Sequence, residues 1–221
     1  MKPSLIFDLD GTLVDSLPGI AASLNRTLSA HGLPGHSNAM VRTFVGDGLA
    51  TLIKRSVSNH DPALLESLLN YYRPDYEASW ASGTRPYPGI VHLLSELARD
   101  GHKLAVLSNK THEFTAAMVR AIFPSVHFDK VLGLREGMRP KPAPAGALEV
   151  LSALGDPPSN CILIGDSVMD IQTAANAEMK SIAVTWGYQD RPKLIAAGPW
   201  KMVDTVDGLA RVLGSGVEEE M

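Results

Sequence analysis

Short runs of apolar residues, each bounded by polar residues or glycine, recur along most of the chain. Four of them are mainly aliphatic and cover residues 5–7, 104–107, 161–164 and 182–184. Continuous apolar runs of this length are typical of strands buried on both faces, as in a parallel sheet. The pattern therefore predicts several buried parallel strands.

Stretches with apolar residues three and four positions apart lie between these runs, which is the spacing of a helix face. They cover residues 90–99, 114–123, 145–154 and 168–177. Strands that alternate with helices form right-handed βαβ units, which place helices on both faces of one sheet. We therefore predict an α/β fold with a doubly wound, Rossmann-like parallel sheet.

Residues 15–84 interrupt this alternation, because they contain helical patterns and no evident buried strand. The helical patterns cover residues 20–30, 40–57 and 63–80. Pro18 and Gly19 near the start, and Pro-Tyr-Pro-Gly at 86–89, are breaker clusters that suit hinges. We predict a helical cap domain that is inserted into the α/β fold and can close over it.

The predicted division places the core domain at 1–14 and 85–221 and the cap at 15–84, about 150 and 70 residues respectively. The chain is 45% hydrophobic and 20% charged, which is typical of a globular protein. Its apolar runs are far shorter than the roughly 18 residues of a membrane span. A net charge of −4 gives no basic footprint for nucleic acid or anionic lipid.

The one cysteine, Cys161, excludes an internal disulfide and a cysteine-rich metal site, and it fits a reducing compartment. Three apolar residues precede Asp8, so no secretory signal is predicted. The sequence thus predicts a cytoplasmic protein without nucleic-acid or membrane partners. It gives no indication of the oligomeric state.

Polar residues that could take part in catalysis or binding follow the predicted strands. Asp8 and Asp10 end the first strand, and their spacing favours projection to the same side. Neighbouring carboxylates repel each other unless a divalent cation holds them together. In open α/β sheets, ligands bind at the carboxyl ends of the strands. This pair is therefore a candidate site, although Asp and Gly are also ordinary turn residues.

The later strands end in similar groups: Ser108 and Asn109 after the second, and Asp166 and Asp170 after the third. Lys141 lies between them and is flanked by prolines. Each group has an ordinary alternative. The serine and asparagine could begin a helix, the lysine could be solvated, and the acids could cap a helix. Their occurrence together favours one site.

These motifs resemble those of the haloacid dehalogenase superfamily across nearly the whole chain. The four motifs occur in the family's order: Asp8-x-Asp10-Gly11-Thr12, Ser108, Lys141, and Gly165-Asp166-x-x-x-Asp170. The insert between the first two resembles the family's mobile cap. Other stretches resemble the phosphoglycolate phosphatase branch, among them residues 44–48, 108–110, 141–144 and 174–177.

The resemblance implies a role for each residue. Asp8 would be the nucleophile that forms an aspartyl-phosphate, and Asp10 would protonate the leaving alcohol and then activate water. Mg²⁺ would be held by Asp8, Asp166 and the backbone carbonyl of Asp10, with Asp170 in support. Ser108 and the backbone of Asn109 would hold the phosphoryl oxygens. Lys141 would offset their charge.

The predicted function is a Mg²⁺-dependent phosphatase for small phosphomonoesters, with 2-phosphoglycolate as the first substrate to test. A phosphosugar mutase or phosphatase, a pyrophosphatase, and a non-catalytic binding or regulatory protein on the same fold are the alternatives. Gly46 and Gly48 in the cap are candidates for a substrate-binding loop, although such a turn could simply begin a helix.

A carboxylate on the substrate would need cationic or N–H partners, and the sequence does not choose among four candidate cations. They are Arg42, Lys54, Arg55 and Lys110. Lys54 is expected to be a solvated helix charge. The turn at 186–188 could approach the site, although packing in the core or on the surface is expected.

Overall fold

The computed structural model describes residues 2–214. Its strands, in chain order, are β1 (Ser4–Phe7), β2 (Val14–Asp15), β3 (Arg85–Pro86), β4 (Leu104–Thr111), β5 (Lys130–Leu134), β6 (Cys161–Gly165), β7 (Lys180–Val184) and β8 (Lys201–Val203). Its α-helices are α1 (Leu17–Ala30), α2 (Asn38–Arg42), α3 (Leu49–Arg55), α4 (Pro62–Ser79), α5 (Ile90–Arg99), α6 (His112–Ile122), α7 (Ala145–Leu154), α8 (Val168–Asn176), α9 (Arg191–Ala197) and α10 (Val206–Gly214).

Six strands form one parallel sheet in the order β5-β4-β1-β6-β7-β8. Strand β1 is central, and its Phe7 lies between Val106 of β4 and Ile164 of β6. The chain continues to the β4 side first and later returns to the β6 side. The carboxyl end of β1 is therefore the switch point where an open α/β sheet binds its ligands.

Helices cover both faces of the sheet because side chains of successive strand residues point to opposite sides. Leu5 and Phe7 pack in a core with residues of α5, α6 and α10, whereas Ile6 packs in a second core with residues of α7 and α8. This arrangement confirms the predicted doubly wound α/β fold. Within residues 2–214, no helix is both long and apolar enough to cross a membrane.

A third hydrophobic core lies among the helices of the predicted cap, around Leu24, Ile53, Leu68 and Tyr76. The two connections to these helices run side by side, since β2 pairs antiparallel with β3. This core belongs to the inserted segment, and the division into two domains stays a prediction. The predicted core domain also includes Met1 and residues 215–221, which lie outside the described residues.

Two details of the predicted cap are wrong. The helix predicted over residues 40–57 is interrupted between α2 and α3, where Gly46 and Gly48 have φ values of 117° and 85°. Side chains with a Cβ disfavour that conformation, so the glycines separate the helices. Pro18 and Gly19 lie in the first turn of α1, where proline is tolerated, so they do not break the helix, and a hinge beside them stays a prediction.

The sequence did not indicate two strands of the main sheet, β5 and β8. They form its two edges. Each begins with a lysine, Lys130 or Lys201, and neither strand is wholly buried. Charged residues and short length are common at sheet edges because they discourage pairing with other chains. The same features hide such strands from a search for continuous apolar runs.

Candidate active site

The carboxyl edge of the sheet brings the predicted site residues together. Asp8 follows β1 directly, Ser108 and Asn109 lie in the last half of β4, and Asp166 follows β6. Because β4, β1 and β6 are neighbours, their ends meet at one place. Ser108 and Asn109 are therefore strand residues, and the helix-start alternative for them is wrong: Thr111 precedes α6.

Lys141 reaches this edge from the loop after β5 and is not solvated, since its side chain is only 5% exposed. Its Nζ lies 2.8 Å from Asp8 Oδ1 and 2.5 Å from Asp170 Oδ1, and it donates to the Leu107 carbonyl at 3.2 Å. Asn109 fixes the lysine backbone, since its Oδ1 accepts from the Lys141 N–H at 2.8 Å. Lys141 is thus a buried cation between two carboxylates.

Asp8, Asp166 and Asp170 form a buried group, here named the acidic cluster. Each contributes a carboxylate oxygen, and these oxygens lie within 4.8 Å of one another. Burial raises the pKa of Asp166 well above its ordinary value, and the charges of Asp8 and Asp170 raise it further. Lys141 offsets only part of this charge. An all-oxygen set with surplus negative charge fits a hard divalent cation.

The excess of negative charge in the acidic cluster also affects the pKa of Asp8. Burial raises its pKa to about 7, Lys141 opposes this change, and Asp170 and Asp10 add to it. A carboxyl group in this setting becomes a stable carboxylate when further positive charge enters the cluster. The cluster therefore suits a metal on electrostatic grounds as well as by its donor atoms.

Asp170 has two roles in the structure. Its Oδ1 binds Lys141, and its Oδ2 accepts from Ser167 N–H at 3.1 Å and from Ser167 Oγ–H at 2.6 Å. The second set of contacts is a capping box at the start of α8, so the helix-cap alternative holds for this residue. Both oxygens of Asp170 are therefore engaged, and its supporting role for a metal stays a prediction.

The Asp10 carboxylate has its own partners outside the acidic cluster. Its Oδ1 accepts a 2.5 Å hydrogen bond from Ser16 Oγ–H, and its Oδ2 lies 3.1 Å from Lys110 Nζ. It also borders a pocket that is partly open to solvent, which we name the β4 pocket. Asp10 thus stands between the cluster and this pocket.

The β4 pocket separates the end of β4 from the helices of the predicted cap. Ser108, Asn109 and Lys110 line its sheet side, and Gly46 and Gly48 lie across from them. The Asn109 amide donates to the Gly46 carbonyl at 3.0 Å. The structure therefore brings the two cap glycines to the site. The remaining wall is mainly apolar or aromatic and includes Ile20, Val45, Leu49, Leu52, Tyr72 and Phe114.

The structure distinguishes the four candidate cations. Arg42 donates to the carbonyls of Gly187 and Tyr188 at 3.1 and 2.5 Å. Arg55 forms a 2.5 Å ion pair with Asp47, and Lys54 is exposed, as expected. Lys110 alone among the four lines the β4 pocket.

Most of the chain matches a known protein family. The family described as haloacid dehalogenase-like hydrolase matches residues 5–184, which include every residue of the acidic cluster. The chain belongs to this family. The superfamily resemblance of the four sequence motifs is thereby confirmed.

Relatives of this haloacid dehalogenase-like hydrolase are similar over most of their length. A phosphoglycolate phosphatase from Mesorhizobium japonicum is 33% identical over 199 residues, which are 86% of each chain. One from Aquifex aeolicus is 33% identical over 184 residues, 83% of this chain and 85% of the relative. A solved structure from Lactobacillus delbrueckii subsp. bulgaricus has a TM-score of 0.89 at 32% identity and covers 96% of this chain and 99% of its own.

Both interpretations of the turn at 186–188 of this hydrolase hold in part. Trp186 does pack in the core, against Tyr87. However, the Tyr188 N–H donates to Asp166 Oδ2 at 2.6 Å, and the Tyr188 hydroxyl accepts from the N–H groups of Ser16 and Leu17 at 2.8 and 3.0 Å. The turn thus contacts both the acidic cluster and the start of α1.

The sequence does not single out Ser16 or Tyr76 as site residues, and it indicates Tyr188 only as part of the turn at 186–188. Tyr76 lies in the last turn of α4, and its hydroxyl accepts from Lys110 Nζ at 3.0 Å. A tyrosine in an amphipathic helix looks like a core residue, which Tyr76 also is. Only the approach of α4 to β4 in space identifies it.

Proposed function

We propose that this hydrolase is a Mg²⁺-dependent phosphatase of small phosphomonoesters and that 2-phosphoglycolate is its first substrate to test. The observation that carries the proposal is the Asp8–Lys141 ion pair inside the acidic cluster, at the switch point of the sheet. The phosphoglycolate phosphatases similar over most of the chain support the substrate.

Asp8 attacks phosphorus in this proposal, with one carboxylate oxygen as the nucleophile. The bond from phosphorus to the leaving oxygen breaks, and an aspartyl-phosphate forms on Asp8. Water then attacks the same phosphorus, which releases inorganic phosphate and restores the carboxylate. Two moderate displacements replace one difficult displacement in this way. Phosphoryl transfer otherwise needs mainly positioning and charge neutralisation.

Asp10 is the proposed acid and base. It stands beside the β4 pocket, so it faces the leaving oxygen when the phosphoryl group lies against Asp8. It gives a proton to that oxygen in the first step and takes one from the attacking water in the second. Ser16 and Lys110 each contact one of its oxygens and hold the carboxyl group in place.

The remaining residues bind the phosphoryl group and the metal. Ser108 and the backbone of Asn109 are the proposed donors to phosphoryl oxygens, and Lys141 offsets their negative charge. Asp8, Asp166 and the Asp10 carbonyl would hold Mg²⁺, with Asp170 in support. When bound, the metal would add positive charge beside the phosphoryl oxygens.

The test is a release assay for inorganic phosphate with 2-phosphoglycolate, phosphosugars and pyrophosphate, each with Mg²⁺ and with chelator. We expect release from 2-phosphoglycolate that stops in chelator and in Asp8→Asn. Phosphate release without an isomeric product dismisses the mutase alternative. If no phosphate ester is hydrolysed with any divalent metal, the chain is not a phosphatase. That result would favour the non-catalytic alternative.

The proposal also covers the partner and the cellular location of the enzyme. The partner is a small phosphorylated metabolite. Burial raises the pKa of Cys161 to about 11, so its thiol is unreactive at neutral pH. We propose a cytoplasmic location, as the sequence predicts. Cell fractionation with an antibody against the protein tests it.

A further inference from the structure

In the proposed chemistry Lys110 only helps to hold the Asp10 carboxyl group, and its position allows a second role. It lies in β4, two residues beyond Ser108, with a side chain that is 10% exposed. Its Nζ contacts Asp10 Oδ2 at 3.1 Å and the Tyr76 hydroxyl at 3.0 Å, and it lies 4.7 Å from the centre of the Tyr76 ring. A core strand and a helix of the predicted cap therefore meet at this ammonium group.

The ammonium group has capacity for another acceptor. A lysine has three N–H donors, and two acceptors contact Lys110 Nζ in the described part of the chain. Lys110 also lines the β4 pocket. Burial lowers its pKa, but Asp10 and Tyr76 raise it more, so the net pKa lies above its ordinary value and the charge is kept. A permanent cation with a spare donor therefore faces the pocket.

No other described residue that lines this pocket is positively charged. Arg42 and Arg55 are bound elsewhere, and Lys54 is exposed outside the lining. The rest of the wall is largely apolar, with a few neutral donors such as the Thr111 hydroxyl. An anion on the leaving group thus has one cationic partner in the lining, Lys110.

The spacing along β4 limits the size of the substrate. Ser108 and Lys110 both line the pocket, and two residues of strand span about 7 Å. If Ser108 holds a phosphoryl oxygen, the ammonium group reaches an acceptor only a few bonds from the ester oxygen. A carboxylate on a short chain meets this requirement, whereas the anion of a long leaving group would lie beyond it.

We propose that Lys110, supported by the Tyr76 hydroxyl, is the residue that binds the substrate's carboxylate and that the substrates are phosphate esters of short hydroxy acids. This inference rests on the proposed phosphatase function. It makes Lys110 a determinant of specificity: its ammonium pairs with the leaving group, and Tyr76 holds the ammonium in the pocket.

The experiment compares two substrates of matched size, 2-phosphoglycolate and glycolaldehyde phosphate, which lacks the carboxylate. The enzymes are wild type, Lys110→Met, Lys110→Arg and Tyr76→Phe, with Lys54→Met as the matched control at an exposed lysine. The measured quantity is the ratio of kcat/KM values for the two substrates. Both substrates have a primary alkyl leaving oxygen. An effect of Lys110 on Asp10 should therefore change kcat/KM for both alike and cancel in the ratio.

We expect Lys110→Met to lower the ratio by about 10-fold or more, because a hydrogen bond between charged groups is lost. Lys110→Arg should keep part of the preference for 2-phosphoglycolate, because it retains the positive charge. Tyr76→Phe should lower the ratio by about 3-fold, because the ammonium group is held less firmly. Lys54→Met should leave the ratio unchanged. An unchanged ratio in Lys110→Met, with either equal loss or no loss on both substrates, overturns the proposal. If that variant does not fold, an unchanged ratio in both Lys110→Arg and Tyr76→Phe overturns it.

The wild-type enzyme separates this inference from the proposed function. Turnover of glycolaldehyde phosphate without preference for 2-phosphoglycolate keeps the phosphatase and refutes the carboxylate-binding role. Absence of turnover on both substrates and on an aryl phosphate refutes the phosphatase itself, and the inference with it.

Discussion

Lys141 and Lys110 are both buried lysines beside carboxylates at the carboxyl edge of the sheet, but their surroundings differ. Lys141 is 5% exposed and contacts Asp8, Asp170 and a backbone carbonyl, which use its three donors. Lys110 contacts one carboxylate and one tyrosine hydroxyl at the border of the β4 pocket.

The pKa of each lysine is raised for a related reason. Burial lowers both values, and neighbouring groups more than reverse the change: Asp170 and Asp8 for Lys141, and Asp10 and Tyr76 for Lys110. Both lysines are therefore charged, but only Lys110 faces open space. A saturated lysine serves every substrate alike, whereas an unsaturated lysine can distinguish among them.

The largest expected effect follows Lys141→Met. It leaves Asp8 and Asp170 without their shared cation, which should lower turnover of all phosphate esters by roughly 10³-fold. Loss of one partner in a buried pair should also destabilise the fold by about 3–5 kcal/mol in chelator. Steady-state kinetics and denaturant unfolding measure the two effects. A loss confined to 2-phosphoglycolate would show that the two lysines do not differ as described.

Asp10→Asn should give the next largest effect, and one that depends on the leaving group. An amide cannot donate the required proton, so alkyl phosphates should lose about 10²-fold or more in kcat. Aryl phosphates need less protonation and should lose much less. The slope of log kcat against leaving-group pKa, in wild type and variant, measures this difference. Parallel slopes would remove Asp10 as the acid.

Gly187→Ala tests the wall of the acidic cluster away from both lysines. An added Cβ would overlap Asp166 and the carbonyl of Gly11, so Asp166 must move. We expect the concentration of Mg²⁺ for half-maximal activity to rise about 10- to 100-fold, as when groups that orient metal ligands are disturbed. The control is Gly214→Ala at the end of α10, where the added Cβ would meet no atom within 4 Å and the backbone is not in the left-handed region. An unchanged Mg²⁺ requirement would argue against Asp166 as a ligand.

Tyr188→Phe should have the smallest effect. It removes the hydroxyl that accepts from the N–H groups of Ser16 and Leu17 at the start of α1. Loss of a helix cap costs about 1 kcal/mol, which denaturant unfolding can measure. Because Ser16 also binds Asp10, a decrease in kcat of a few-fold should accompany it, with little change in KM. A decrease as large as that of Asp10→Asn would give Tyr188 a more direct role.

Much of the fold could be predicted because buried parallel strands leave continuous apolar runs, as at β1 and β6. The edge strands could not, since Lys130 and Lys201 break that pattern. The site residues on strand ends were predictable for a similar reason: topology alone brings Asp8, Ser108 and Asp166 together. Their catalytic roles stay predictions.

The remaining site residues could not be predicted because they depend on how distant segments pack. Tyr76 comes from α4 and Tyr188 from the turn after β7, and neither has a spacing that links it to the motifs. The choice of Lys110 among four cations also required the structure, since only packing shows which side chains are bound elsewhere.

The central claim is that the Asp8 carboxylate becomes phosphorylated. The most direct measurement is acid quenching during turnover of 2-phosphoglycolate with Mg²⁺, followed by mass spectrometry of proteolytic peptides. We expect one phosphoryl group on the peptide that contains Asp8. It should be labile to hydroxylamine and absent from Asp8→Asn. Phosphorylation of another residue, or Asp8→Asn that still hydrolyses the substrate, would contradict it.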